Sequence, residues 1–414
     1  MKRTRAAAAT RAAAATLAAA ITSTASAAPL RVCVVGAGSI GREFALHHFG
    51  PSTNTVVSSI IDVDFEAARA LAADVGSVQS GASVVGDSKY QATVSSCEGE
   101  PVATGASLDA SALATCDIVY VGTPPASHRA LVLAALDAGK HVLLEKPLTN
   151  NADEARALAE LARRQRRVLV EGYHWRHHAL VARVKALVAE DGELGPVRAL
   201  EVGAGMISGD GLRSLLGLGA GASGRSAKMD VALGGGNFMG QGCYAVSVAR
   251  ELLGEPERVV RAAMVEDSPG SRADVAAEAE LAFAGGATAT LRSSATTPFG
   301  FHLRARCERG TLDVTNYLFP FLYHAIGVRP DGGRQRYEKA HSAPAGTTTF
   351  DLQLAAFADA VRDGAAPPGH GADDAVRNMA VIDEIYEAAG LGKRPSAAAL
   401  KIANARAEWS WWPF

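Results

Sequence analysis

Cysteine is scarce in this chain and follows no pattern. Five residues (Cys33, Cys97, Cys116, Cys243 and Cys307) are scattered over 414 positions, odd in number and without a C-x-x-C pair. That argues against a disulfide framework or a structural zinc site and for reduced, mostly buried thiols. Long apolar runs are missing as well. No segment past residue 28 approaches the roughly 18 consecutive apolar residues that a membrane span needs. Neither sign of charge prevails: 41 Lys and Arg face 43 Asp and Glu, a net of −2. Nucleic acid and anionic membrane surfaces are therefore not expected partners. The one dense basic cluster, Arg163, Arg164, Arg166 and Arg167, falls where a helix should end and suits the helix dipole there. No internal repeat is visible.

Acid is absent from the start of the chain, where the first acidic residue is Glu43. Residues 1–28 carry Lys2, Arg3, Arg5 and Arg11 among long alanine runs, with several Ser and Thr. This composition is that of an organelle transit peptide. A secretory signal competes, because Ala25-Ser26-Ala27 fits a cleavage site, but Arg11 interrupts the apolar region. A plain disordered extension is the third reading. The expected location is thus a mitochondrion, a plastid or the cytoplasm, with secretion the weaker alternative.

What is present is an ordinary globular composition, 48% hydrophobic and 20% charged, long enough for two domains. The organising stretch is Leu30 to Gly41. An apolar run, Val32 to Val35, stops at Gly36 and is followed by Gly38, Ser39, Ile40 and Gly41. A G-x-G-x-x-G between a strand and a helix is a dinucleotide-binding turn. Gly36 allows the tight turn, Gly38 admits the pyrophosphate, and Gly41 lets the helix pack close to the sheet. The helix start, Ser39 and Ile40 included, offers N–H groups to the phosphates. A second strand, Thr55 to Ile61, ends at Asp62, whose carboxylate suits adenosine ribose hydroxyls and repels a 2′-phosphate. The cofactor is therefore NAD or NADP, with NAD slightly ahead.

Helices are expected over Ile40–Phe49 and over Phe65–Val75, the latter closed by Gly76. Residues 77–112, rich in Ser, Gly and Ala, read as a surface excursion. The core resumes with the strand Cys116–Val121, the loop Gly122-Thr123-Pro124-Pro125, and a helix bearing His128. A strand over His141–Leu144 then leads straight to Glu145-Lys146-Pro147. Ligands collect at such carboxyl ends of strands. Later segments alternate as antiparallel strands do, with Gly285-Gly286 as a hairpin turn, and close with helices over Phe350–Arg362 and Asp374–Ala389.

GAGSIG, Asp62, VGTPPASH and EKP, in this order, resemble the glucose–fructose oxidoreductase/inositol dehydrogenase (Gfo/Idh/MocA) family. EGYHWRHH (171–178), LGPV (194–197), LGGGNFMGQGCY (233–244) and NMAVIDEIYEAAGL (378–391) extend the resemblance through the second half. It implies an α/β fold: an N-terminal Rossmann doubly wound parallel sheet, then a C-terminal α+β domain with an open, largely antiparallel sheet. The expected division is 1–28 extension, 29–150 nucleotide domain, 151–395 substrate and dimerisation domain, and 396–414 an aromatic tail docked on the protein or a partner subunit. The resemblance makes Lys146 the residue that hydrogen-bonds the reacting oxygen, Pro147 a cis-proline, and Tyr244 the general acid/base. Thr123, Pro124, His128, Glu145 and Lys146 would border the cofactor, as would Arg176.

The same resemblance implies hydride transfer between NAD(P) and the CH–OH group of a small-molecule sugar or cyclic diol. It is nearest the xylose and dihydrodiol dehydrogenase branch, with a homodimer or homotetramer formed through the second sheet. A non-catalytic dinucleotide-binding regulator of the same fold is the rival. One departure stands out: many members carry an acid where this chain has Gly240, and Asn237 or Gln241 could supply a polar contact instead. His174, His177 and His178 are close in sequence, yet nothing acidic or thiol-bearing nearby completes a metal set, so packing or cofactor contact is expected instead. The glycine-rich stretch 203–224 reads as a mobile loop over the site.

Overall fold

The computed structural model of the chain describes residues 28–80, 85–86, 92–95, 101–105, 108–206, 228–298, 300–341, 346–367 and 369–396. These form two compact units. One holds the described residues up to Gly172 together with Leu354–Val376, Pro395 and Ser396; the other holds Tyr173–Gln353 and Arg377–Arg394.

The first unit opens with β1 (Leu30–Val35) and α1 (Ser39–Glu43), which widens into a π turn over Phe44–His48. Next come β2 (Thr55–Ile61), α2 (Phe65–Ser80), the short β3 (Val85–Gly86) and β4 (Ala92–Ser95), and β5 (Pro101–Gly105). After α3 (Ala110–Ala114) follow β6 (Ile118–Val121), α4 (Pro125–Asp137), β7 (His141–Leu144), α5 (Ala152–Gln165) and β8 (Leu169–Glu171). The sheet order is β3-β4-β5-β2-β1-β6-β7-β8, and every pairing from β5 to β8 is parallel. That is the doubly wound order, with β3 and β4 added antiparallel at one edge. Val32 to Val35 and Ile118 to Val121 are buried throughout, as parallel strands covered on both faces should be.

Helix α5 shows how local chemistry sets a boundary. The Asn151 side chain accepts the Glu154 N–H, acids occupy the first turn, Arg163 and Arg164 the last, and Arg166 ends the helix in the left-handed region.

Three expectations need correction here. Helix α2 does not close at Gly76 but runs on to Ser80; its buried stripe (Ala68, Leu71, Ala72, Val75) holds the helix on the sheet and outweighs the modest cost of a helical glycine. Residues 101–105 are not a surface excursion, because β5 lies in the parallel sheet beside β2. The first sheet also continues past residue 150, since β8 pairs with β7, and Gly371 bridges Val170.

The second unit contains α6 (Ala179–Val188), β9 (Val197–Gly205), α7 (Cys243–Leu253), β10 (Pro256–Glu266), β11 (Asp274–Phe283), β12 (Thr288–Ser294), β13 (Gly300–Cys307) and β14 (Gly310–Thr315). Strands β15 (Ala325–Pro330) and β16 (Arg336–Glu338) were not expected. Helices α8 (Thr349–Asp363) and α9 (Ala372–Ala388) contribute residues to both units. The order is β10-β11-β12-β9-β13-β14-β15-β16, antiparallel except for β12 beside β9. In β13, Phe301, Leu303, Ala305 and Cys307 point inward while Arg304 and Arg306 face out, the period of two that a half-covered sheet requires. Ion pairs cross the outer face: Arg261 to Glu280 and Arg292 to Glu278 at 2.9 Å, and Arg304 to Asp313 at 2.7 Å.

Gly203 and Gly205 belong to β9, so the glycine-rich stretch begins as strand rather than loop; residues 207–227 lie outside the described residues, as do 1–27 and 397–414. Cys33, Cys116, Cys243 and Cys307 are buried thiols outside any disulfide, and Cys97 falls outside the described residues. No helix among the described residues is long and apolar enough to cross a membrane.

Candidate active site

One crest of the first sheet gathers most of the residues singled out by sequence. The ladder continues one bond beyond each strand: Gly36 N–H to Ile61 O (2.8 Å), Gly122 N–H to Val35 O (2.8 Å), Glu145 N–H to Val121 O (2.9 Å) and Gly172 N–H to Leu144 O (2.7 Å). The glycine turn, the Thr123 loop and the Glu145-Lys146 loop therefore leave the carboxyl ends of β1, β6 and β7 at one level, where doubly wound sheets bind ligands.

The glycines divide the work as their spacing requires. Gly36 has φ +103°, and a Cβ there would stand 2.8 Å from Gly122 O. A Cβ on Gly41 would collide with the Gly36 carbonyl, so the helix can approach the strand only without one. Gly38 differs: a Cβ would meet nothing within 4 Å. Gly38 also caps α1 without a side chain, which leaves the first N–H groups of the helix facing that open space. A diphosphate fits this cradle. Asp62 accepts the Ala37 N–H at 2.7 Å and the Asp64 N–H at 2.8 Å, locking the turn to the end of β2.

Behind β7, Lys146 is half-buried and its bond to Pro147 is cis. Its neighbours are held from both sides. Tyr120 donates to Glu145 Oε1 at 3.2 Å, and burial pushes the Glu145 carboxyl up. Glu171 Oε1 accepts the Leu148 N–H at 2.8 Å, fixing the chain just after Pro147. His128 is fully buried on α4, with Nε2 2.7 Å from Thr123 O and Nδ1 3.1 Å from Pro147 O. Burial draws its imidazole down to about 4 against the pull of those carbonyls. The structure thus places His128 between the Thr123 and Lys146 loops as a brace, its ring nitrogens turned to backbone rather than to a ligand. Thr123 bonds Ser127 Oγ at 2.6 Å, and Pro124 precedes the first turn of α4.

In the second unit, Tyr244 starts α7 after a π turn over Phe238–Gly242. It is 7% exposed, edge-on to Tyr173 (5.5 Å), His174 (6.3 Å) and Phe301 (6.5 Å). Tyr173 donates to the carbonyl of Cys243, the residue before it, and accepts from Asn378 at 2.8 Å; Asn378 accepts from Arg250, which pairs with Glu255. The phenol is thereby held on a rigid aromatic frame.

The substitutes for an acid at Gly240 do not take its place. Gln241 spends its amide on Met206, accepting from its N–H and donating to its carbonyl, while Asn237 donates to Ser293 Oγ. A Cβ at Gly240 would face open space. Arg176 is buried, 3.6 Å from Glu251 and over the Tyr173 ring, and Glu251 also pairs with Lys185 at 2.6 Å.

Two of the neighbouring histidines pack and cap. His174 bonds Thr349 Oγ1 at 2.7 Å against Phe350, and His178 Nδ1 accepts the Leu180 N–H at 3.1 Å, capping α6. Among the described residues no cluster of three metal-ligating side chains occurs.

The His178 cap yields a pH dependence. Burial, reinforced by His324 and His341, lowers its pKa to about 4, and its accepting Nδ1 requires the neutral ring. His324, whose Nε2 accepts the Ala340 N–H, is lowered by burial too. The unfolded chain takes up the His178 proton near pH 6.5, the folded one only near 4. The stabilisation is complete above about 6.5 and is lost as pH falls toward 4. His178 alone is expected to cost roughly 2 kcal/mol of stability between pH 7 and 5. Urea unfolding at both pH values measures it, and a His178→Asn variant should show a smaller loss; an equal loss in both proteins refutes the assignment.

The buried residues that sequence reasoning overlooked are Asp274 and Arg394; Tyr386, on the apolar face expected of the last helix, meets them. Arg394 donates to the Gly235 carbonyl (2.9 Å) and to Asp274 (3.0 Å), and Tyr386 donates to Asp274 (2.6 Å). A lone Asp at a strand start and a lone Arg near the C-terminus carry no local signal of this meeting.

A glycine cradle at the crest of a doubly wound sheet and a second, mostly antiparallel unit bearing a framed phenol define a dinucleotide-dependent oxidoreductase. The family model described as the oxidoreductase family, NAD-binding Rossmann fold, matches residues 30–173, and the GFO/IDH/MocA C-terminal domain matches 181–313. The chain belongs to the GFO/IDH/MocA family of NAD(P)-dependent oxidoreductases. It is 33% identical over 282 residues to D-xylose 1-dehydrogenase (NADP(+)) 2 of Haloferax volcanii, covering 67% of this chain and 79% of that one. It is 30% identical over 377 residues to a dTDP-3,4-didehydro-2,6-dideoxy-alpha-D-glucose 3-reductase of Streptomyces violaceoruber, covering 88% and 96%. The solved aldose–aldose oxidoreductase of Caulobacter crescentus, complexed with glycerol, shares the fold with a TM-score of 0.70 at 24% identity, over 87% of this chain and 98% of that one. These relatives are catalysts, and the chain stands with them rather than with a non-catalytic regulator.

Proposed function

We propose that the protein interconverts a secondary alcohol or hemiacetal and its carbonyl on a sugar or cyclic diol. The observation that carries this reading is Lys146, set directly behind β7 on the same crest as the glycine cradle. Bound in that cradle, NAD(P) supplies the hydride acceptor or donor. Lys146 donates a hydrogen bond to the reacting oxygen and stabilises the alkoxide as it develops. Tyr244 takes the hydroxyl proton in oxidation and returns it in reduction. Thr123, Pro124 and Glu145 border the cofactor from the neighbouring loops, while His128 acts from behind.

NAD is the preferred cofactor in this proposal. Asp62 is anchored beside the glycine turn, and a carboxylate at the end of the second strand suits ribose hydroxyls and would repel a 2′-phosphate. The Haloferax volcanii relative is named for NADP(+), so comparing both cofactors separates the two. Assembly into a homodimer or homotetramer through the outer face of the second sheet belongs to the same proposal.

The test is cofactor reduction over a panel of aldoses, nucleotide sugars, inositols and cyclic diols, with Tyr244→Phe alongside. Turnover on at least one class, reduced at least a hundredfold in the variant, supports the reading. Cofactor binding without turnover on any of them, or turnover indifferent to the phenol, overturns it.

A further inference from the structure

We infer that Asp274 is a positioning residue for Tyr244: a buried carboxylate that fixes the glycine turn and the π turn from which the Tyr244 helix starts. This rests on the proposed role of Tyr244. Asp274 lies at the beginning of β11, with its side chain wholly out of solvent. Its Oδ1 accepts from the Tyr386 hydroxyl at 2.6 Å and from Arg394 Nη2 at 3.0 Å. Its Oδ2 accepts the Phe238 N–H at 2.6 Å, at the first residue of the π turn and six positions before Tyr244. Two segments far apart in sequence, around Phe238 and over Tyr386–Arg394, therefore meet on one carboxylate.

The turn it holds is shaped around it. Gly234 and Gly236 have φ +80° and +132°, conformations that L side chains rarely adopt. A Cβ on Gly236 would collide with Asp274 Oδ1, and it would lie 2.5 Å from Arg394 Nη2. Arg394 reaches past the carboxylate to the Gly235 carbonyl and lies over the Tyr386 ring at 4.0 Å. Tyr386 in turn packs edge-on against Phe238, with centroids 6.0 Å apart. Gly240 N–H then bonds Gly236 O at 3.0 Å, carrying the fixed geometry into the π turn.

A buried ion pair is a poor way to gain stability, because desolvation offsets most of the attraction. What it does supply is direction. Each oxygen of Asp274 has named donors, so the loop ahead of Tyr244 has one geometry. Misplacing a reacting group by an ångström can cost about a hundredfold in rate.

Asp274→Asn keeps the shape but turns an N–H group toward existing donors. Its kcat is expected to fall tenfold to a hundredfold (on the order of the cost of small misplacement), while the cofactor dissociation constant, set in the other unit, stays within twofold. Tyr386→Phe should lower kcat in the same direction by less, and the double variant should be no slower than Asp274→Asn alone. A folded Asp274→Asn protein with unchanged kcat overturns the inference, as does one that loses only thermal stability. If Asp274→Asn does not fold, Tyr386→Phe decides, and an unchanged kcat there is equally fatal. Tyr244→Phe measured in parallel separates the two ideas. Full turnover in that variant removes the role of the phenol itself, whereas its loss beside unaffected Asp274 and Tyr386 variants removes only the positioning role.

Discussion

Lys146→Ala is expected to lower kcat by about a thousandfold, the size of effect seen when a donor to a developing oxyanion is removed. The half-buried ammonium stands behind β7 on a loop held by Tyr120, His128 and Glu171, none of which contacts the lost atoms in the bonds described. The loop keeps those bonds in the variant, so the deficit should appear in kcat rather than in folding. Lys146→Arg retains the charge but not the compact ammonium, and it should recover only part of the rate. Steady-state kinetics on the best substrate, with cofactor titration by fluorescence, checks both points. A residual kcat within tenfold of the parent would remove Lys146 from the chemistry.

The second large effect separates binding from folding within one short turn. Gly38→Ala should weaken NAD(P) binding by about a hundredfold, because the new methyl enters the space that the diphosphate needs. The melting temperature should stay within a degree or two of the parent, since Gly38 has extended φ and ψ and its Cβ meets no protein atom within 4 Å. Gly41→Ala should behave oppositely. There the methyl meets the Gly36 carbonyl, a backbone group unable to move aside, and the cost is about 3 kcal/mol of stability or more. Thermal unfolding without cofactor, set beside calorimetric titration with it, distinguishes the two variants. If Gly38→Ala binds cofactor normally, the cradle has been misread.

The contrast between these two glycines shows what a sequence carries. Spacing alone assigned Gly36, Gly38 and Gly41 because their task is local: a turn, an approach and a close contact within a few residues. β2 is legible for the same reason, being a run of Thr, Val and Ile broken only by Ser58 and Ser59 and ending in an acid. Strand β5 is not, because Pro101 to Gly105 has little apolar character and joins the sheet only through its pairing with β2. Helix α2 overran Gly76 because burial of one face outweighed the local stop signal. The pairing of Arg176 with Glu251 joins residues distant along the chain and has no local signal either. Asp274 and Arg394 were invisible on the same ground: buried polar meetings between remote segments leave no periodicity to read.

The nucleotide-binding sheet has a late finishing step. Its strands are complete at Glu171, but Arg362 donates to the Asn54 carbonyl, Asp373 pairs with Arg163, and Gly371 bridges Val170. Those partners leave the ribosome only after the whole antiparallel sheet has been made. A nascent chain therefore carries its Rossmann strands for a long interval without their last cover, and this is the stage at which a chaperone would have most to protect. A fragment cut near residue 173, where the first family model ends, would be left permanently at that stage.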